Sequence, residues 1–196
     1  MPKKSVRKKK VVKPASPFSS WHVGVAAEAI AAAQFARCGI DVSVQYGADQ
    51  PEYDLTVEHD DLMMKVSVKG SKDGGWGLTQ SHLTRGKTDY HAAIDKWVQR
   101  HGKKTVMCFV QFKGREDLDQ MPKCYLATPA EVAQVMKAVA KGKGGTILYE
   151  HHVWTSRALG AGTVERIPDA WKFSRERALQ LLGLVNGPRQ VPGPQG

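Results

Sequence analysis

The sequence lacks the long apolar run that a membrane-spanning helix requires. Crossing a bilayer takes roughly 18 to 20 consecutive apolar residues, and no stretch of this chain approaches that length. The first residues carry the positive charge of a signal peptide, but no apolar segment or small-residue cleavage site follows them. We therefore expect a protein that makes no membrane contact and remains in the cytoplasm.

Cysteine is also scarce. The 196 residues include only Cys38, Cys108 and Cys124, which are odd in number and far apart. This spacing fits neither a disulfide framework nor a zinc site. The sequence therefore predicts small buried thiols in a reducing compartment.

Acidic residues are missing from the first twenty positions. That segment carries seven of the ten units of formal net charge, on Lys3, Lys4, Arg7, Lys8, Lys9, Lys10 and Lys13. A basic arm that also contains proline and serine is typical of disorder, and it can hold a polyphosphate by counterion release. The alternative is a solubility tail without a specific partner.

Length and composition indicate one folded domain between two tails. A chain of 196 residues fits a single domain by the rule of roughly 100 to 200 residues per domain, and a hydrophobic fraction of 41% suits a globular body. We predict a disordered basic tail at 1–20, one domain at 21–186 and a disordered Pro/Gly-rich tail at 187–196.

The order of periodic segments predicts a mixed α/β architecture. Predicted helices run from Gly24 to Cys38 and over 88–100, 128–140 and 169–182, and predicted strands cover 40–44, a segment opening at Asp54, 64–69, 105–112, 124–127 and 146–154. Helices mixed with strands in this order predict an α/β sandwich around a central mixed β-sheet flanked by helices.

Three ionisable residues stand in the order that metal-dependent phosphodiester cleavage uses. Glu28 lies in the first predicted helix, Asp54 opens a strand, and Lys69 ends the next strand. An acidic group must hold a divalent cation against a phosphate, and a nearby ammonium must stabilise or help deprotonate the attacking water. Each residue also has an ordinary interpretation, as an exposed helix glutamate, a turn aspartate or an edge-protecting lysine.

The strand that ends at Lys69 places its polar residues on one face. Side chains alternate along a strand, so Lys65, Ser67 and Lys69 share one side. Val66 and Val68 face the other side and can anchor the strand in a core.

These segments resemble the PD-(D/E)XK nuclease superfamily, which includes many restriction endonucleases and archaeal junction resolvases. The resemblance covers residues 24–72, with Pro51-Glu52-Tyr53-Asp54 supplying the metal-binding aspartate and Val66-Ser67-Val68-Lys69 standing where the family has acidic-x-Lys. It implies a restriction-endonuclease-like α/β sandwich that cleaves nucleic acid with Mg²⁺ or Mn²⁺; DNA is the favoured substrate, and RNA stays open. It leaves a homodimer as one option, because two strands need two cuts.

The resemblance implies catalytic roles for Glu28, Asp54, Ser67 and Lys69, with Asp54, Glu28 and the Val68 carbonyl holding the metal. Ser67 departs from the family, which has Asp, Glu or in some branches Gln at that position. A hydroxyl is a poorer ligand for a hard cation than a carboxylate.

Three compensations for Ser67 are open. Glu28 could supply the missing charge from the helix, Glu52 could reach back from the turn, or Ser67 could hold a water in the shell of the metal; we favour Glu28. Two other functions also stay open. One is a catalytically degenerate nuclease-fold module that binds nucleic acid or a partner protein without cleavage, and the other is a protein-interaction domain with a basic arm.

A glycine-rich segment after Lys69 predicts a flexible loop beside the substrate groove. The predicted nucleic-acid-binding residues are Lys65, Lys72, Trp76, Arg85 and Lys87. Trp76 could stack on a base or sugar; the alternative is that its ring packs on the protein core.

Overall fold

The computed structural model describes residues 18–45, 52–84, 88–115 and 117–183. The predicted tails at 1–20 and 187–196 fall almost entirely outside these ranges, so their disorder stays a prediction. Within the described ranges, none of the helices combines the length and the apolar character needed to cross a bilayer.

The first half of the chain forms a long helix and an antiparallel set of strands. Its elements are α1 (Ser20–Arg37), β1 (Asp41–Val44), β2 (Leu55–His59), β3 (Leu62–Ser71) and β4 (Gly75–Gly77). Helix α1 begins four residues before the predicted Gly24, because the Ser19 hydroxyl caps its N-terminus by accepting a hydrogen bond from the His22 backbone N–H.

The second half alternates helices with short strands. Its elements are α2 (Tyr90–Gln99), β5 (Thr105–Gln111), β6 (Lys123–Ala127), α3 (Pro129–Gly142), β7 (Ile147–Tyr149), β8 (His151–Val153), β9 (Val164–Arg166) and α4 (Arg175–Leu182). Helix α3 is capped by Thr128, whose hydroxyl accepts from the Glu131 backbone N–H.

The central sheet has five strands in the order β1-β2-β3-β5-β6. Strands β3 and β5 run parallel, with Val66 opposite Val106, and the other neighbours are antiparallel. Helices pack on both faces of this sheet. The predicted α/β sandwich with a central mixed sheet is therefore confirmed.

Two apolar cores lie on the two faces of the sheet. On one face, α1 and α4 pack against β3 through residues such as Phe35, Val66 and Val68. On the other face, α2 and α3 pack against β5 through residues that include Trp97 and Met107. Because paired residues in a sheet share a face, and Ser67 pairs with Met107, Ser67 and Lys69 lie on the side of α2.

The predicted strand 146–154 is two strands, so that prediction was wrong. Strand β7 pairs with β4 and β8 pairs with β9, and Glu150 separates them. Its carboxylate turns inward and accepts hydrogen bonds from Lys123 Nζ at 2.7 Å and the Tyr125 hydroxyl at 2.6 Å. The backbone changes partner at Glu150, whose N–H donates to Gly74 O at 2.8 Å and whose carbonyl accepts from the Ile167 N–H at 3.1 Å.

The predicted closing helix 169–182 is also interrupted. Asp169–Trp171 forms a short 3-10 turn, and Phe173 then donates its backbone N–H to Cys124 O at 2.9 Å, as a strand residue would. Helix α4 begins only after Ser174, whose hydroxyl caps it. Of the three thiols, Cys108 and Cys124 are buried as predicted, whereas Cys38 is partly exposed.

Candidate active site

Strand β3 has an open edge where β2 begins. The register places Leu55 opposite Val66, so β3 continues past the first residue of β2. Asp54 occupies the gap. Its backbone N–H donates to Val66 O at 2.8 Å, and its Oδ2 accepts from the Val68 N–H at 2.6 Å. A carboxylate that accepts such a short, charge-assisted bond is held firmly against the strand.

That hydrogen bond fixes one carboxylate oxygen and leaves the other available. Oδ1 of Asp54 makes no hydrogen bond to any other residue that the structure describes. The Val68 side chain is 7% exposed and packs in the core. The metal role of the Val68 carbonyl stays a prediction.

Asp54, Ser67 and Lys69 line one cavity of about 260 Å³. Ser67 is 2% exposed, and Lys69 is half-buried. The other lining residues are Glu52, Leu78, Ser81, His82, Trp97, Arg100 and His101. The structure therefore brings together three of the four predicted catalytic side chains.

Glu28 approaches this group from α1. Burial is the largest influence that raises the pKa of its carboxyl above the usual range, the Asp54 carboxylate raises it further, and the Lys69 ammonium opposes both. Asp54 and Lys69 are thus close enough to act on Glu28 electrostatically. Glu28 does not line the cavity itself, so its catalytic role stays a prediction.

Gly70 allows α1 to pack closely against β3. A Cβ at Gly70 would lie 2.7 Å from Val23 Cγ1, 2.8 Å from Val23 O and 3.0 Å from Ala27 Cβ. Only a residue without a side chain allows α1 to cross β3 so closely. The crossing brings the turn of α1 that carries Glu28 next to Lys69.

The donor set suits a hard divalent cation. Asp54 and Glu28 supply carboxylate oxygens and Ser67 a hydroxyl, and oxygen ligands are those that Mg²⁺ and Mn²⁺ prefer. A cation would also relieve the mutual repulsion of the two carboxylates. Across the described parts of the chain, no three His, Cys, Asp or Glu side chains form a ready-made metal cluster. Mg²⁺ needs no such cluster, since it commonly binds through one or two carboxylates, waters and substrate phosphates.

Glu52, the alternative source of the missing charge, lies at the same cavity. Its Oε1 is 3.4 Å from Arg100 Nε, in an ion pair that is about half exposed on both sides. Exposed pairs of this kind contribute little free energy. Glu52 can therefore turn toward a ligand at small cost, and it stays an open alternative to Glu28.

His82, Arg100 and His101 are lining residues that the sequence did not indicate. The Nδ1 atom of His101 is enclosed and finds no hydrogen-bond partner among the described residues. Burial is the main cause that lowers the pKa of this imidazole; the Glu52 carboxylate opposes the shift, and nearby positive charges, Lys69 first, add to it. The lowered pKa favours the uncharged imidazole. The only available signal was its place directly after the last turn of α2.

The predicted nucleic-acid contacts have different outcomes. Trp76 is 2% exposed, donates its indole N–H to Lys69 O at 2.8 Å and packs 5.2 Å from the Phe109 ring centroid. A side chain so enclosed cannot stack on a base, so that prediction was wrong and the alternative, core packing, is correct. The segment around it is strand β4 rather than a flexible loop, because Gly75–Gly77 pairs with β7.

Two of the four basic residues of that set lie among the described residues. Lys65 is exposed, and its ammonium lies 4.5 Å from the Tyr53 ring centroid. Lys72 is also exposed and donates from Nζ to Phe18 O at 2.8 Å. Arg85 and Lys87 lie outside the described residues. Nucleic-acid binding by these four residues stays a prediction.

The fold is similar to that of a bacterial homing endonuclease, I-Ssp6803I. The two chains share 15% sequence identity with a TM-score of 0.44, over 84% of this chain and 94% of that chain. No protein-family model matches the sequence, and no curated protein does.

Proposed function

We propose that this protein is an endonuclease that hydrolyses phosphodiester bonds in DNA and uses Mg²⁺ or Mn²⁺ as its cofactor. One observation carries the proposal: the Asp54 carboxylate and the Lys69 ammonium line the same cavity at an open strand edge. Glu28, outside the cavity lining, is a second carboxylate whose pKa is influenced by both of these charges. A cavity with this combination of charges can hold a phosphate through a bridging cation.

Each residue has a defined task in this proposal. Asp54 and Glu28 would hold the cation, which supplies charge neutralisation for the phosphate and lowers the pKa of a bound water. Lys69 orients the attacking water and stabilises the negative charge that develops on the phosphoryl oxygens. The Val68 N–H keeps the Asp54 carboxylate in place, since it holds one oxygen at 2.6 Å.

The test is cleavage of plasmid DNA by the full chain with Mg²⁺ or Mn²⁺ and with EDTA. We expect metal-dependent nicking or linearisation that Asp54→Ala and Lys69→Ala each abolish, with both variants folded by circular dichroism. Asp41→Ala and Lys104→Ala are matched controls, because they remove one carboxylate and one ammonium outside the cavity. Full activity in Asp54→Ala or Lys69→Ala would reject the assignment.

A second candidate function is a nuclease-fold module that binds nucleic acid without cleavage. Ser67 favours it, because this residue places a weak ligand where the related nucleases have a carboxylate. The same assay separates the two functions. A binding module shifts the plasmid in a gel with either metal but leaves it intact.

A further inference from the structure

A second cavity lies at the opposite end of α2 from the candidate active site. Tyr90, the first residue of α2, lines this cavity, whereas Arg100, just beyond the last, lines the active-site cavity. The ten residues of α2 rise 1.5 Å each, so its ends are about 15 Å apart. The second cavity has a volume of about 200 Å³, and its walls include three aromatic rings and one carboxylate, from Tyr90, Tyr149, Trp154 and Glu165.

Glu165 fixes the wall of this cavity. Its Oε1 accepts hydrogen bonds from the Ala140 backbone N–H at 3.1 Å and from the Trp154 indole N–H. Gly160 also packs closely against the Trp154 ring, since a Cβ at Gly160 would lie 2.6 Å from Trp154 Cγ. Oε2 of Glu165 makes no hydrogen bond to another described residue, so it is available to a ligand.

The backbone beside the cavity is strained. At the end of α3, Ala140 has φ 51° and Lys141 has φ 60°, a left-handed conformation that residues with a Cβ adopt rarely. Such strain persists where the surroundings enforce it, and it clusters at ligand sites. Here the Glu165 carboxylate enforces it through the Ala140 N–H. The turn exposes Lys141 and Lys143 next to residues that line the cavity.

We propose that this cavity binds one unstacked nucleobase of the nucleic-acid strand cleaved at the active site. The volume is below the roughly 300 to 1,000 Å³ of pockets that enclose a drug-sized ligand, so it suits a single flat ring. Aromatic side chains stack on bases, and a glutamate oxygen accepts from an exocyclic amino group such as that of cytosine. This inference rests on the nucleic-acid binding that is part of the proposed function.

The charges around the cavity favour a base over a cation. Aromatic rings beside a carboxylate also recognise ammonium groups. Lys141 and Lys143, however, repel a cationic ligand and attract the phosphates on either side of a base. Since one strand advances 3.4 Å per nucleotide, the 15 Å length of α2 corresponds to about four nucleotides. The substrate would then carry an unpaired or easily extruded base at about that distance from the scissile phosphate.

The experiment measures affinities of the full chain by fluorescence anisotropy in EDTA, so that cleavage does not interfere. Its probes are short oligodeoxycytidine, oligothymidine of equal length and an oligomer of the same length made only of abasic sites. Stacking of one base predicts that oligodeoxycytidine binds roughly tenfold tighter than the abasic oligomer. Tyr90→Leu should remove most of that difference, and Lys143→Ala should weaken binding of all three probes equally.

Glu165→Gln separates recognition from folding. Glutamine keeps one acceptor for Ala140 and Trp154 but presents an NH₂ group in place of the second oxygen. The preference for oligodeoxycytidine over oligothymidine should therefore fall or reverse, a change that general loss of structure would not produce. An unchanged preference, or equal binding of oligodeoxycytidine and the abasic oligomer, overturns the base pocket but leaves the endonuclease proposal standing. The plasmid-cleavage assay tests the endonuclease proposal independently of these affinities.

Discussion

The Val68 backbone N–H donates a 2.6 Å hydrogen bond to Asp54 Oδ2. This bond joins a carboxylate at the start of one strand to the strand that carries Ser67 and Lys69. It extends the hydrogen bonding between the two chain segments beyond the first residue of β2, where the regular pairing of β2 with β3 ends. The same contact therefore completes the sheet and orients the acid of the candidate active site.

Replacing Ser67 with aspartate should strengthen metal binding. The serine lines the cavity beside Asp54, and an additional carboxylate increases affinity for a hard cation. We expect Ser67→Asp to bind Mn²⁺ roughly tenfold tighter in calorimetric titration. Ser81→Asp is the matched control, because Ser81 lines the same cavity from a 3-10 turn. Equal gains in both variants would show that general negative charge, rather than position 67, controls the affinity.

Gly70→Ala should destabilise the fold and impair the site together. The added methyl group would meet Val23 and Ala27 of α1 at 2.7 to 3.0 Å, so α1 must move away and take Glu28 with it. Overpacking of this kind costs about 1 to 3 kcal/mol of unfolding free energy, measurable by urea denaturation. Gly24→Ala is the control, since no atom lies within 4 Å of a Cβ there. It should stabilise α1 by about 0.5 to 1 kcal/mol, and a loss of stability would contradict the packing described.

Trp76→Phe should lower stability without changing affinity for nucleic acid. The substitution removes the indole N–H that donates to Lys69 O and leaves a part-buried carbonyl without this partner, at a cost of about 1 to 3 kcal/mol. The control, Trp21→Phe, alters a side chain that is 70% exposed and should leave the free energy of unfolding unchanged. If the Trp76→Phe variant is fully folded and still binds DNA more weakly, Trp76 contacts the nucleic acid directly and the core-packing interpretation is contradicted.

Much of the site could be predicted because its signals are local in sequence. Val66 and Val68 alternate with Ser67 and Lys69, and this alternation alone determines which side chains share a face. Asp54 follows a turn and precedes an apolar strand. The convergence of these residues needed only two neighbouring strands.

The remaining features depend on partners that are distant in sequence. Trp76 lies in a three-residue strand whose partner is Leu148, and no pattern around Trp76 indicates that pairing. Glu150 separates β7 from β8, and its carboxylate reaches Lys123 and Tyr125. His101 enters the cavity of the candidate active site only because α2 packs across the sheet. Such tertiary contacts override the local hydrophobic and turn patterns of the sequence.

The ion pair between Glu131 and Arg177 should make stability depend on pH. Burial acts to raise the pKa of the Glu131 carboxyl, but hydrogen bonds from Arg177 and Thr128 outweigh it and hold the pKa below the usual 4.5. The pair therefore stabilises the fold above pH 4.5, and this contribution is lost as the pH falls through the lower pKa of the folded state.

Glu131→Gln keeps the helix cap but removes the charge. Because Glu131 is about a third exposed, solvent screening limits the expected loss at pH 7 to about 1 to 2 kcal/mol. Urea denaturation at pH 7 and at pH 3 measures it. The two proteins should differ at pH 7 and approach each other at pH 3, whereas a constant difference would assign the effect to packing.

The most direct measurement is anomalous diffraction from crystals soaked in Mn²⁺. We predict one anomalous peak in the cavity lined by Asp54, Ser67 and Lys69, within ligand distance of an Asp54 oxygen and absent from crystals of Asp54→Ala. A wild-type map without a peak at Asp54, under conditions in which the protein cleaves DNA, would contradict the proposed metal centre.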